Sequence, residues 1–115
     1  MTGTLSLRFA GDPLHLTTAR SFAGSIARVL DLDEGSRHDI RLAVSELVTL
    51  AISAGASDLT LVAELDSDTP LLRLRSDAPL PSIPAETSDL LRALGHSVWS
   101  SDDPWVIRMG GAVEP

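Results

Sequence analysis

The segment from His38 to Ala56, HDIRLAVSELVTLAISAGA, constrains the chain more than any other, because it is the longest stretch whose apolar residues keep helical spacing. Ile40, Ala43, Val44, Leu47, Ala51 and Ala54 recur at three and four residues, which places them on one face of a helix turning about 100° per residue. Arg41, Ser45 and Thr49 fall on the opposite, wetter face, but Val48 and Ile52 project toward that side as well. The C-terminal half of the helix is therefore expected to be covered on two sides. Between the two faces runs a third stripe of Leu42, Glu46, Leu50 and Ser53, which sets a carboxylate at the edge of the core.

The segments around it follow from period and punctuation. Thr4 to Phe9 alternates Leu5, Leu7 and Phe9 with polar residues, a half-buried strand. Asp12 is a candidate N-cap with Pro13 at the first helical position, and Leu16, Ala19, Phe22, Ala23, Ile26 and Leu30 predict an amphipathic helix from Leu14 to Leu30. Asp31 to Ser36 is read as a short acidic turn around Gly35, and Gly55 as the stop of the long helix. Leu59 to Leu65 and Leu71 to Arg75 read as a hairpin turned by Ser67-Asp68-Thr69-Pro70. Pro79, Pro81 and Pro84 forbid regular structure over Ser76 to Pro84. A shorter helix is expected at Ala85 to Leu94 with Gly95 as its stop, then strands at His96 to Ser101 and Trp105 to Met109, and a frayed tail at 110–115. The order β-α-α-β-β-α-β-β predicts a single α+β domain over residues 1–115: a two-layer α/β sandwich, its sheet mostly antiparallel, with three helices on one face.

Composition narrows the function classes. A chain of 115 residues with 43% hydrophobic content buries a core of its own and is not a disordered segment. It has no Cys, so disulfides, thiolate catalysis and Cys-ligated metals are excluded together. All nine basic residues are Arg against sixteen acidic ones, and the resulting −7 repels nucleic acid and anionic membrane and favours protein partners. No apolar run approaches the roughly 20 residues of a membrane helix, and the start MTGTLSLRFAG lacks a basic head and a long apolar core. A cytoplasmic location is expected. His15, His38 and His96 are spread along the chain without ligand spacing, so no metal site is predicted.

The residues SELVTLA, with Asp39 to Leu42 ahead and AISAGA behind, resemble the E-L-x-x-N-A helix of the GHKL (Bergerat-fold) ATPases, and most of all the bacterial anti-sigma factor serine kinases. That resemblance implies a histidine-kinase-like ATPase fold, with Glu46 in the place of the Glu that polarises a water or hydroxyl and Leu50 in the place of the Asn that holds Mg²⁺. It also places Asp77 at the adenine-binding Asp and puts Pro79 and Pro81 where the family has two glycines. Proline there removes a backbone donor and the permissive backbone together. The family's later Gly-rich entry has no counterpart between Pro84 and Leu91, and too few residues separate the hairpin from the last helix to form a nucleotide lid.

The resemblance thus implies a member with a degenerate ATP site: a pseudokinase, a non-catalytic regulator in a bacterial partner-switching pathway, needing no cofactor. Its implied partners are a sigma factor or a STAS-type anti-sigma antagonist, with a second copy or an intact relative as a dimer partner. The alternative is an atypical serine/threonine kinase that still binds ATP and Mg²⁺. Each residue also has a plainer role. Asp77 is a turn residue ahead of a proline pair, Glu46 is a solvated helix residue or a polar contact to a neighbouring backbone, and Arg8, Arg73 and Arg75 are ordinary strand positions. The proline-rich segment is expected to fold down onto the Glu46 helix and bury Leu80 or Ile83 against Leu50.

Overall fold

A computed structural model describes residues 3–66, 70–94 and 105–109. Strand β1 (Thr4–Ala10) leads through a single 3-10 turn (Pro13–His15) into helices α1 (Leu16–Val29) and α2 (Glu34–Ser53). Strands β2 (Asp58–Glu64) and β3 (Leu71–Ser76), helix α3 (Ala85–Ala93) and strand β4 (Val106–Arg108) follow. The four strands form one antiparallel sheet in the order β1-β2-β3-β4.

Register explains which face is buried. Leu7 lies opposite Leu61 and Leu61 opposite Leu74, while Leu5, Ala63, Leu72 and Ile107 form the neighbouring row. Side chains two apart share a face, so these rows form one apolar surface. Except for Leu5, which is exposed, they belong to the same core cluster as Ala19, Ala23, Ile26 and Ala27 of α1, Ile40, Ala43, Val44, Leu47, Val48 and Ala51 of α2, and Leu91 of α3. Helices α1 and α2 pack directly against each other, and each buries several alanines in the shared core. Three helices and an antiparallel sheet sharing one core make an α+β chain compatible with a two-layer sandwich.

The helix ends show why the boundaries fall where they do. The Asp12 carboxylate accepts from Leu14 N–H at 2.9 Å, so the expected cap and Pro13 start the 3-10 turn before α1. At the end of α1, Asp31 N–H donates to Arg28 C=O at 2.9 Å and Leu32 N–H to Ala27 C=O at 3.0 Å, with Asp31 at φ 59. That is a Schellman ending built on an aspartate in the left-handed region. Gly55, at φ 98, closes α2 the same way, with Gly55 N–H on Ile52 C=O and Ala56 N–H on Ala51 C=O.

Two expectations need correction. The stretch Asp31 to Ser36 is not all turn: α2 starts at Glu34, because Asp33 accepts from Ser36 N–H at 2.7 Å and caps it. That bond holds the Asp33 carboxyl below its ordinary value. Gly35 costs little there, since the first turn has few intrahelical bonds to weaken. Ala54, expected on the buried face, is exposed because it stands at the helix cap. Val48, by contrast, is fully buried, so the middle of α2 is covered on two sides as its apolar pattern predicts. The expected strand His96 to Ser101, the stop at Gly95 and the tail at 110–115 lie outside the described residues.

Candidate functional site

Glu46 and Leu50 stand one turn apart on α2, both half-buried. Leu50 packs against the core, and so do Leu80 and Ile83 from the irregular segment between β3 and α3 that also carries Pro79 and Pro81. Asp77, just after β3, faces the start of β2. Its Oδ1 accepts the N–H groups of Ser57 at 3.1 Å and Asp58 at 3.0 Å, and its Oδ2 accepts the Ser57 hydroxyl. Donation by Ser57 holds the Asp77 carboxyl below the usual range. With both oxygens engaged, Asp77 ties the end of one strand to the beginning of its neighbour.

The arginines divide into three groups. Arg8 pairs with Asp58, Arg37 with Glu34, Arg73 with Glu64 and Arg92 with Asp89. Arg75 and Arg108 share with Arg8 and Arg73 the sheet face opposite the core, since each alternates with a buried neighbour. The sheet cluster read from Arg8, Arg73 and Arg75 is thus largely neutralised in place. Arg20, Arg28 and Arg41 differ: among the described residues no carboxylate pairs with any of them.

These three line one cleft of about 380 Å³ between α1 and α2. Arg20 and Arg28 come from α1 and Arg41 from α2, with the hydroxyls of Thr17, Ser21 and Ser25 along the same wall. Gly24 supplies bare backbone between them. A Cβ added there would come within 3.4 Å of both Cδ and Nη1 of Arg41, so the Arg41 side chain lies across α1 at the one position without a side chain. A glycine inside a helix costs about 1 kcal/mol relative to alanine. A smaller adjoining cleft of about 170 Å³ shares Arg20 and Arg41 and adds His38, Leu42 and Ser45. Neither lining includes an Asp or Glu, on a chain whose net charge is −7.

Chemically the cleft offers guanidinium forks from two walls with hydroxyls able to donate between them, an arrangement suited to anions. Its sequence signal is visible in hindsight: the stretch Leu14 to Leu30 has no acidic residue, and Arg20, Gly24 and Arg28 repeat at four-residue spacing. They lie off the apolar stripe of α1 that predicts the helix. Arg41 and Ser45 fall on the wetter face of α2 by their spacing, but what stands across the helix pair from them is set by the packing.

No protein-family model matches the chain. It is 35% identical over 88 residues to human Zinc finger BED domain-containing protein 6, a stretch covering 73% of this chain and 8% of the relative. The chain therefore spans less than a tenth of that protein's length. Among the described residues no three His, Asp or Glu side chains gather as metal ligands, and no helix is long and apolar enough to cross a membrane. These findings correct the resemblance to the GHKL ATPases and the anti-sigma factor serine kinases: SELVTLA without the metal-binding Asn is a pattern that any amphipathic helix with one carboxylate at its core edge can carry, and no family model extends it.

Proposed function

We propose that this chain is a non-catalytic regulatory domain that acts by protein–protein binding, and that the arginine cleft between α1 and α2 is where it meets an acidic segment of its partner. The observation that carries the reading is the set of Arg20, Arg28 and Arg41, three guanidiniums that no carboxylate pairs with among the described residues, on a strongly acidic chain. Mutual repulsion makes such a grouping unfavourable in isolation, and an incoming anion relieves it. Charge complementarity of this kind sets partner choice and orientation, because like-charged surfaces elsewhere on the molecule repel the same ligand. The sigma-factor and STAS-type partners rested on the corrected resemblance and form no part of the proposal.

The test compares tagged wild-type protein with an Arg20→Glu/Arg41→Glu double variant of matched melting temperature, each used to recover partners from lysate of the source organism. Quantitative mass spectrometry is expected to find an acidic protein retained by the wild type and lost by the variant. Identical retention by both would refute the cleft as the binding surface. The non-catalytic half of the reading predicts no change in melting temperature with millimolar ATP and Mg²⁺. A ligand at a hundredfold excess over its Kd adds about 2.7 kcal/mol, so a rise of several degrees would overturn it.

A further inference from the structure

We infer that the anion recognised in the α1–α2 cleft is a phosphate monoester borne on a side chain of the partner, a deepening that rests on the cleft being the partner-binding surface. Two observations separate a phosphate from a carboxylate. The first is charge: three guanidiniums line the cleft with no acidic residue among them, and a phosphomonoester brings about −1.5 to −2 where a carboxylate brings a single charge. The second is origin: Arg20 and Arg28 stand on α1 and Arg41 on α2, so the donors that line the cleft come from both helices. A planar carboxylate satisfies one fork, whereas the tetrahedral oxygens of a phosphate can accept from both walls and from the Ser21 and Ser25 hydroxyls. Beside them, Arg41 lies along the bare backbone of Gly24, where an added Cβ would touch its Cδ and Nη1 at 3.4 Å, an ordinary contact.

Space and long-range charge define the occupant further. About 380 Å³ exceeds what a phosphate alone needs and leaves room for the residue that bears it. The net charge of −7 works against a polyanion such as a nucleic-acid backbone, whose further phosphates would meet an acidic surface, but not against one monoester.

The experiment is a two-dimensional NMR titration of the isotopically labelled chain with four probes: a short neutral peptide carrying one phosphoserine, the same peptide with serine, the same with glutamate, and inorganic phosphate. The phosphopeptide is expected to shift the Nε–H signals of Arg20, Arg28 and Arg41 and the Gly24 amide in a saturable way. The serine peptide should shift none of them, the glutamate peptide should bind at least tenfold more weakly, and inorganic phosphate should bind more weakly than the phosphopeptide. Arg41→Gln should weaken the phosphopeptide at least tenfold, and Arg75→Gln, on the other side of the sheet, should leave it unchanged. Equal binding of the serine and phosphoserine peptides, or saturable shifts away from these four residues, would overturn the inference. Inorganic phosphate binding as tightly as the phosphopeptide would overturn the side-chain source in favour of a free phosphate compound. If the glutamate peptide binds as well as the phosphopeptide and partner recovery still depends on Arg20 and Arg41, the phosphate inference fails while the protein-binding reading stands. Loss of that dependence removes both.

Discussion

Gly11 and Gly35 give opposite predictions for the same chemical change. At Gly11 an added Cβ would fall 1.9 Å from Ala56 O, 2.8 Å from Ala56 C and 3.2 Å from Ser57 Cα, all backbone atoms with no side chain to turn aside. A tolerable contact begins near 3.0 Å, so the loop joining α2 to β2 has to retreat by more than an ångström. That movement breaks the Gly11 N–H to Ser57 C=O bond of 3.0 Å and pulls on Ala56, which is 5% exposed. Overpacking costs about 1–3 kcal/mol and a lost hydrogen bond about 0.5–1.5, so Gly11→Ala should cost about 2–4 kcal/mol. At Gly35, in the first turn of α2, the nearest neighbour to a Cβ is Asp33 Oδ1 at 3.7 Å, an ordinary contact. There Gly35→Ala restricts the unfolded chain and improves helix propensity, a gain of about 0.4–1 kcal/mol. Urea unfolding at pH 7 reads both: with a slope of about 2 kcal/mol per molar, Gly11→Ala lowers the midpoint by about 1–2 M and Gly35→Ala raises it by a few tenths. A Gly11→Ala protein with the wild-type midpoint would show that the β1 exit does not lie against Ala56, and the placement of α2 on the sheet would have to be redrawn.

Two further outcomes test the core and the strand brace. Leu47→Ala, at 1% exposure, should cost about 2–5 kcal/mol in urea unfolding, and Ser45→Ala on the cleft side of the same helix should stay within about 0.5; equal midpoints would mean that α2 is rotated. Asp77, its carboxyl held below the ordinary 3.8 by Ser57 and the Asp58 N–H, contributes stability that is present above the unfolded value and lost as pH falls through the lower folded one. Asp77→Ala should therefore lower the urea midpoint at pH 7, with the gap to wild type narrowing steadily below pH 3.8; a gap independent of pH would rule out an ionised Asp77 as the brace.

Most of the secondary structure could be read without coordinates, because it depends on neighbours along the chain. Alternation in TLSLRF, the three-and-four spacing of Ile26 with Ala23 and Ala19, and the glycine at position 55 each state a local preference that the fold then meets. The reading failed where a local signal had two meanings. Gly35 among acidic residues looks like a turn, and only the Asp33 carboxylate on Ser36 N–H makes it the first turn of a helix. Ala54 continues the apolar spacing of its helix, yet it is exposed because the helix ends there and, among the described residues, nothing packs over the cap. The motif SELVTLA shows the same limit on the functional level: a short amphipathic pattern with one carboxylate is too common to carry a family.

The sequence by itself determined the α+β class, the positions of the long elements, the acidic character of the surface and the absence of thiol chemistry, since each follows from residue type and near-neighbour spacing. Tertiary structure alone decided which polar groups meet. Asp77 and Ser57 are twenty residues apart and bond because β2 and β3 are antiparallel neighbours in register. Arg20 and Arg28 line one cleft with Arg41 because α1 and α2 pack side by side, with Arg41 lying against α1 at Gly24. Periodicity along one helix specifies a direction around that helix, but not what stands across from it. A site built by two helices becomes visible only when their packing is known.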